Sequence, residues 1–267
     1  RKELGRLMVP QVLKSINFDL KNTVFSFIPN TAEISFLGMM SGVEDYLISK
    51  RKEIILDQKP SPDSLEDLLS FKPRVEKLVL KDAKLRTFIT DDAHRDELVA
   101  HVYDTTYEVI KKDRDSLVVI DDSIVRGTTL EKSILTLLDK LDPKKIVIIS
   151  SAPQIRFPDC YGIDMSKMKD FVAFRAVLAL LIDHNKEYLL DEVLEKCLSV
   201  VNSRNQDNYV KELYAPFSYD QVSKKIAEII KPKNMKASLE VVFQTVEGLH
   251  KACPNHLGDW YFTGDYP

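Results

Sequence analysis

The chain has 267 residues, of which 44% are hydrophobic and 30% are charged, and its formal net charge is −3. This length can bury a full α/β core, and the weak negative charge predicts no attraction to nucleic acid or to an anionic membrane. The nearest candidate for a membrane span, residues 171–182, is too short and contains Arg175. No signal peptide is visible and the three cysteines lack CxxC spacing, which together indicate reduced thiols in a cytoplasmic protein.

The first part of the chain is predicted to contain helices around one buried strand. Residues 1–16 have the apolar spacing of a helix with a kink at Pro10, and residues 23–28 (TVFSFI) form a short apolar run typical of a buried strand. A long helix is expected over 31–56, a linker over 58–63 and a short capped helix over 64–70.

From residue 85 onward, the pattern alternates between strands and helices. Strands are predicted over 85–90, 117–120 and 146–151, and helices are predicted over 92–112 and 130–141. This alternation favours a parallel sheet with right-handed crossovers, flanked by helices. The pattern is mostly helical after residue 183, so we expect a core over 1–182 and a helical C-terminal extension over 183–267 that packs on it.

The stretch VVIDDSIVRGTT, residues 118–129, has the pattern of a turn from a strand into a helix. The apolar residues before it are consecutive, as in a strand covered on both faces. Thr128 and Glu131 have capping-box spacing, so the helix is expected to begin there. The turn therefore lies at the carboxyl end of a parallel strand, which is where open α/β sheets bind ligands.

The side chains of this turn suit two kinds of ligand group. Backbone N–H groups at a helix N-terminus, a close approach at a glycine and several hydroxyls favour a phosphate; they belong to Ser123, Arg126, Gly127, Thr128 and Thr129. Asp121 and Asp122 suit vicinal hydroxyls or a hard divalent cation. The pattern indicates a sugar with a phosphate at one end, although a solvated acidic turn stays open as the alternative. The Walker A and GxG motifs do not occur in the chain.

These residues resemble the phosphoribosyl pyrophosphate (PRPP) motif of the type I phosphoribosyltransferases. Over nearly its whole length, the chain resembles one family of this superfamily more closely, the glutamine amidophosphoribosyltransferases. The similarity rests on residues 121–129 (DDSIVRGTT) and 151–165 (SAPQIRFPDCYGIDM), and more weakly on 27–31 (FIPNT), 86–89 (RTFI) and 262–267 (FTGDYP). The resemblance implies a type I phosphoribosyltransferase fold with a helical C-terminal region.

The resemblance also implies a reaction, in which ammonia displaces pyrophosphate from magnesium-bound PRPP to give 5-phosphoribosylamine for purine biosynthesis. It assigns the ribose hydroxyls and Mg²⁺ to Asp121 and Asp122, and the 5-phosphate to Ser123 and the residues from Arg126 through Gly127 and Thr128 to Thr129. Asn30 and Thr31 would hold pyrophosphate, and Arg86 would begin a loop that closes over PRPP. A homo-oligomer with purine nucleotides as inhibitors is expected on the same basis.

The sequence departs from this family in several places. The N-terminal glutaminase domain that supplies ammonia is absent, so we expect the phosphoribosyltransferase half alone. Residues 58–80 resemble an insertion, and residues 90–110 contain few of the cations that the family has there. The pyrophosphate loop reads Asn30-Thr31-Ala32, without the usual acid. Asp159, Gly258 and Tyr261 occupy positions where some members have cysteines, so no iron–sulfur cluster is expected.

These departures leave two further hypotheses beside the amidophosphoribosyltransferase. One is a non-catalytic or regulatory relative that binds PRPP or purine nucleotides. The other, less favoured by the residue 151–165 pattern, is a phosphoribosyltransferase that salvages a purine or pyrimidine base.

Overall fold

The computed structural model describes residues 1–81, 103–105, 109–159, 165–201, 207–256 and 258–266. Within these ranges the strands are β1 (Thr23–Phe27), β2 (Arg74–Val75), β3 (Val79–Lys81), β4 (Tyr103–Thr105), β5 (Ser116–Asp121), β6 (Lys145–Ser150) and β7 (Ser238–Phe243). Five of them form a parallel sheet in the order β2–β1–β5–β6–β7, and β3 pairs with β4 in an antiparallel ribbon. The predicted parallel sheet is confirmed.

Helices surround this sheet. They are α1 (Lys2–Leu7), α2 (Val9–Ser15), α3 (Glu33–Gln58), α4 (Pro62–Ser70), α5 (Leu135–Asp139), α6 (Val172–Asp183), α7 (Tyr188–Val200), α8 (Lys211–Tyr214), α9 (Tyr219–Ile230), α10 (Val246–Ala252) and α11 (Trp260–Thr263). A π-helical turn (Leu130–Ile134) runs directly into α5, and a 3₁₀ turn (Met168–Asp170) precedes α6. In the described part of the chain, none of the helices combines the length and the apolar character needed to cross a membrane.

The two central strands are buried on both faces, as their consecutive apolar residues predict. On one face, Leu117 and Ile146 lie in an apolar cluster with residues of α5, α6 and α9. On the other face, Val118 and Val147 lie in a second cluster with residues of α2 and α3. Packing on both faces holds β5 and β6 in place, and it therefore also positions the loops at their carboxyl ends.

Three secondary-structure predictions differ from the structure. The N-terminal helix is divided at Met8, because Pro10 follows in the first turn of α2 and cannot donate to a preceding turn. The helix expected over 92–112 is wrong at Tyr103–Thr105, which pairs as a strand with Val79–Lys81. The C-terminal region, expected to be helical, contributes β7, whose Val241 and Phe243 are buried against the core. The strand predicted over 85–90 lies outside the described residues.

Candidate functional site

Three loops lie side by side at the carboxyl edge of the sheet. They are the β1 loop (residues 28–32), the β5 loop (residues 121–129) and the β6 loop (residues 151–159). Their strands are adjacent and parallel, with Phe27 paired to Ile120 and Asp121 paired to Ser150. The structure therefore brings together the two segments, around Asn30 and Asp121, that the sequence analysis selected from distant parts of the chain.

The β5 loop is held to the β6 loop through backbone hydrogen bonds. The Asp121 carbonyl accepts from Ser151 N at 3.0 Å, and the Asp122 carbonyl accepts from Ala152 N at 3.1 Å. The Ser151 hydroxyl donates to the same Asp122 carbonyl at 3.2 Å. These bonds continue the sheet beyond the end of β5 and orient both aspartates.

Each aspartate side chain accepts a hydrogen bond from the next residue. Asp121 Oδ1 accepts from Asp122 N at 2.8 Å, and Asp122 Oδ1 accepts from Ser123 N at 2.9 Å. Burial, together with the neighbouring Asp122 carboxylate, raises the pKa of Asp121 well above its ordinary value. Two crowded carboxylates of this kind gain most from a cation or from hydroxyl donors.

The acidic pair fits a magnesium ion of the kind that binds with a phosphate ligand. No cluster of three or more His, Cys, Asp or Glu side chains suited to a metal occurs among the described residues. Mg²⁺ needs only one or two carboxylates when substrate phosphates and water supply its other oxygens. Asp121 and Asp122 would be the two carboxylates, and they lie at the carboxyl edge of the sheet, where open α/β sheets bind ligands.

The second half of the β5 loop makes a tight turn into the helix that follows. Gly127 has φ of 74°, which favours glycine, and a Cβ atom there would lie 2.8 Å from Ile230 Cγ2 in α9. Glu131 N donates to the Gly127 carbonyl at 3.0 Å, so helical bonding begins close to the predicted position. The capping box predicted from Thr128 and Glu131 is wrong, because Thr128 is already helical and the cap of the π-helical turn, Thr129, makes no side-chain cap hydrogen bond. Thr128 and Thr129 are exposed in this first turn.

The start of α6 supports the same turn from behind. Val172 N donates to the Val125 carbonyl at 2.8 Å, and Arg175 Nη2 donates to the Arg126 carbonyl at 2.6 Å. The Arg126 guanidinium lies 3.8 Å from Asp170 Oδ2. No role was predicted for Val172, Arg175 or Asp170. The one signal was Arg175 itself, a basic residue inside an otherwise apolar stretch of α6.

The β1 loop is bound to β5 and exposes the two residues predicted to hold pyrophosphate. Ile28 N donates to the Ile120 carbonyl at 2.9 Å, which keeps the loop against the end of β5. The peptide bond between Pro29 and Asn30 is cis. Asn30 and Thr31 are exposed, and the Thr31 carbonyl accepts from Arg1 Nη1 at 3.4 Å.

The β6 loop contains a buried polar network that sequence reasoning did not find. Gln154 Nε2 donates to the Tyr219 carbonyl at 3.0 Å, and Gln154 Oε1 accepts two hydrogen bonds from Arg156. The Arg156 guanidinium lies 4.9 Å from the ring centroids of both Tyr214 and Tyr219. Burial lowers the pKa of Arg156, and the two aromatic rings oppose that effect. The network fixes the β6 loop onto α8 and α9.

Two predicted features lie outside the described residues. They are Arg86, expected to begin the closing loop, and residues 160–164, which complete the CYGID part of the motif. All the other predicted site residues lie in the β1 and β5 loops.

Comparison with known proteins gives one group of relatives. No protein-family model matches the chain. Amidophosphoribosyltransferase of Escherichia coli (strain K12) is 45% identical over 58 residues, which are 22% of this chain and 11% of that protein. The enzyme of Haemophilus influenzae is 48% identical over 63 residues, 24% of this chain and 12% of that protein. The enzyme of Methanocaldococcus jannaschii is 30% identical over 149 residues, 50% of this chain and 31% of that protein. The matches thus span less than a third of the relatives' lengths.

Two solved structures match the whole chain at the level of the fold. One is glutamine PRPP amidotransferase from B. subtilis complexed with ADP and GMP, with a TM-score of 0.51 and 20% identity over 100% of this chain and 41% of that chain. The other is described as the allosteric regulatory enzyme of purine biosynthesis, with a TM-score of 0.51, 20% identity, and coverage of 100% and 40%. The chain therefore has the type I phosphoribosyltransferase fold, and its sequence relatives are amidophosphoribosyltransferases, whose phosphoribosyltransferase half it matches.

Proposed function

We propose that the chain binds PRPP with Mg²⁺ and transfers its phosphoribosyl group to ammonia, which forms 5-phosphoribosylamine and pyrophosphate. The observation that supports this proposal best is the juxtaposition of the β5 loop, with its acidic pair and helix N-terminus, and the exposed β1 loop at one edge of the sheet. The names of the sequence relatives support the same activity.

In this proposal, the β5 loop holds the two ends of the phosphoribosyl group. The N–H groups of the first helical turn and the Thr128 and Thr129 hydroxyls donate to the 5-phosphate oxygens, as helix N-termini commonly do. Gly127 lets the backbone approach the phosphate closely. Asp121 and Asp122 accept hydrogen bonds from the ribose hydroxyls, so that the sugar is fixed at both ends before any bond breaks.

The departure of pyrophosphate needs positive charge and donors at the β1 loop. Bound Mg²⁺ supplies charge that offsets the negative charge on the leaving group. Asn30 and Thr31 donate to the same group from the loop. Burial and the neighbouring Asp122 carboxylate raise the pKa of Asp121, so a bound cation or hydroxyl donor relieves an unfavourable charge at this position. The family resemblance assigns the exclusion of water from the reacting carbon to the segment around Arg86, which lies outside the described residues.

The ammonia for this reaction comes, in our proposal, from a glutaminase domain separate from these 267 residues. Purine nucleotides are proposed inhibitors, because the B. subtilis structure is described as a complex with ADP and GMP. A homo-oligomer is proposed from the family resemblance.

The test is pyrophosphate release from PRPP with Mg²⁺ and excess ammonium at alkaline pH, where ammonia is abundant. Wild type is compared with the Asp121→Asn/Asp122→Asn double variant. Release that requires ammonia and disappears in the variant supports the proposal. Release that requires a nucleobase in place of ammonia indicates salvage. Binding of PRPP without release indicates a regulatory relative, the reading that the scarcity of cations in residues 90–110 favours.

A further inference from the structure

The residue that precedes α1 places a guanidinium group beside the β1 loop. Arg1 precedes α1, and its Nη1 donates to the Thr31 carbonyl at 3.4 Å although the two residues are 30 positions apart in sequence. Both side chains are exposed. The contact uses one of the five N–H donors of a guanidinium, so the group can also donate to a neighbouring anion.

Arg1 is brought there by a close backbone crossing of α1 and α3. A Cβ atom on Gly5 would lie 1.8 Å from the Ser35 carbonyl oxygen, and one on Gly38 would lie 1.9 Å from the Lys2 carbonyl oxygen. Only residues without a Cβ allow this approach. Since Ser35 and Gly38 are in the first turns of α3, directly after the β1 loop, the crossing fixes the start of α1 beside that loop.

The cation lies where the proposed reaction lacks one. The β1 loop itself offers neutral donors, Asn30 and Thr31, and the residues 90–110 contain few basic side chains. Pyrophosphate is a polyanion, and a guanidinium binds phosphate oxygens through paired, charge-assisted hydrogen bonds. A cation on the same loop therefore contributes what the neutral donors cannot.

We propose that Arg1 is a pyrophosphate-binding residue, which contacts the diphosphate of PRPP and of the product from the N-terminal side of the β1 loop. This inference rests on the proposed function. It assigns part of the diphosphate binding to the residue that precedes α1, a position for which no role in the site was predicted.

The test measures binding without turnover, by isothermal titration calorimetry. The probes are inorganic pyrophosphate with Mg²⁺ and, separately, ribose 5-phosphate. Arg1→Gln should weaken pyrophosphate binding about tenfold. It should leave ribose 5-phosphate binding within roughly twofold of wild type, because that probe lacks the diphosphate. Arg1→Lys should fall between, since an ammonium keeps the charge without the paired donors.

The matched control is Arg6→Gln. Arg6 lies near the end of α1 and is exposed, and its Nη2 lies 2.6 Å from Asp45 Oδ2, so the variant removes the same charge away from the loop. Equal weakening by Arg6→Gln and Arg1→Gln would reduce the effect to net charge and overturn the assignment. Wild-type affinity of Arg1→Gln for pyrophosphate would overturn it too, while the proposed function would stand. If wild type bound neither probe, the result would contradict the proposed function and, with it, the assignment of pyrophosphate binding to Arg1.

Discussion

Asp121 is a residue at which ligand binding and stability oppose each other. Its pKa is raised in the folded chain, so the folded state binds this proton more tightly than the unfolded state does. The contribution of Asp121 to stability is therefore fully present below the unfolded pKa of about 3.9 and is lost as pH rises through the folded value. Without ligand, the carboxylate is a cost at neutral pH.

Asp121→Asn is accordingly expected to raise the free energy of unfolding at pH 7 to 8 and to change it little near pH 4. Urea unfolding of both proteins without Mg²⁺, over a pH series, measures this difference. The same variant should lower kcat/KM for PRPP by about a hundredfold or more. Asp57→Asn, at an exposed position, is the control. A pH-independent difference would argue against the raised pKa.

Gly127 combines a left-handed backbone with a crowded position. Gly127→Ala adds a Cβ atom 2.8 Å from Ile230 Cγ2 at a φ of 74°. We expect a loss of about 1–3 kcal/mol in stability and a clear loss of ribose 5-phosphate affinity, because the turn that presents the N–H groups must shift. Thermal unfolding and calorimetry measure the two effects.

Gly264→Ala provides the comparison. Gly264 also has a positive φ, of 76°, but it lies beyond α11 and outside the β5 loop. The Gly264→Ala variant should be less stable than wild type but should keep the wild-type affinity for ribose 5-phosphate. If both variants lost affinity equally, the effect would be a general one on folding.

At the scale of residues, the local sequence predicts some features of the candidate site and not others. The pattern of an apolar strand, two acids, a glycine and hydroxyls predicted the positions of residues 121–129, since all the information lies within a dozen positions. The contact between Arg1 and Thr31 and the contact between Arg175 and Arg126 depend on helix packing across the chain. No local pattern encodes them.

At the scale of elements, Tyr219 connects α9 to two strand ends. Its hydroxyl accepts from Gln154 N at 2.7 Å and donates to the Gln244 carbonyl at 2.9 Å. Burial raises the pKa of Tyr219 to about 12, so the phenol keeps its proton below pH 10 and both bonds persist.

Tyr219→Phe is expected to cost about 1–3 kcal/mol, because a buried N–H loses its acceptor. Tyr214→Phe should cost less, since the Tyr214 hydroxyl only donates to the Arg156 carbonyl, at 3.1 Å, and carbonyls tolerate a lost donor better. Urea unfolding at pH 7 and pH 9 compares them, with exposed Tyr188→Phe as the control. An equal cost for both buried tyrosines would contradict this account of the network.

Elements with strong periodicity were predictable and marginal ones were not. β5 and β6 are consecutive apolar runs, and their burial on both faces was predicted. β7 (SLEVVF) contains a charged residue, and its burial comes from α9 and β6 rather than from its own pattern. β2 has two residues, too few for any periodicity.

For the whole molecule, the sheet unites both ends of the chain. β7 completes the sheet beside β6, and α9 packs on α6 in the same apolar cluster. The division into a core of 1–182 and an extension of 183–267 is a proposal that a truncation can test. Removing residues 183–267 exposes the edge of β6 and the apolar face of α6.

We expect the fragment of residues 1–182 to lack a cooperative unfolding transition and to bind a hydrophobic dye, because its core loses one wall. Circular dichroism during thermal unfolding and dye fluorescence measure this. A fragment of residues 1–256 retains β7 and α10 and is the control. A cooperative transition in the shorter fragment would establish residues 1–182 as an independent domain.

The position of β7 also has a consequence for synthesis of the protein on the ribosome. The strand beside which it belongs emerges about 90 residues earlier, which is roughly 5–20 s of translation at ordinary rates. During that interval the outer edge of β6 has unpaired backbone groups and apolar side chains, a template for pairing with another nascent chain. The yield of native protein should therefore rise when the segment between β6 and β7 is translated faster. It should also rise when a chaperone covers the edge of β6 until β7 has been synthesised.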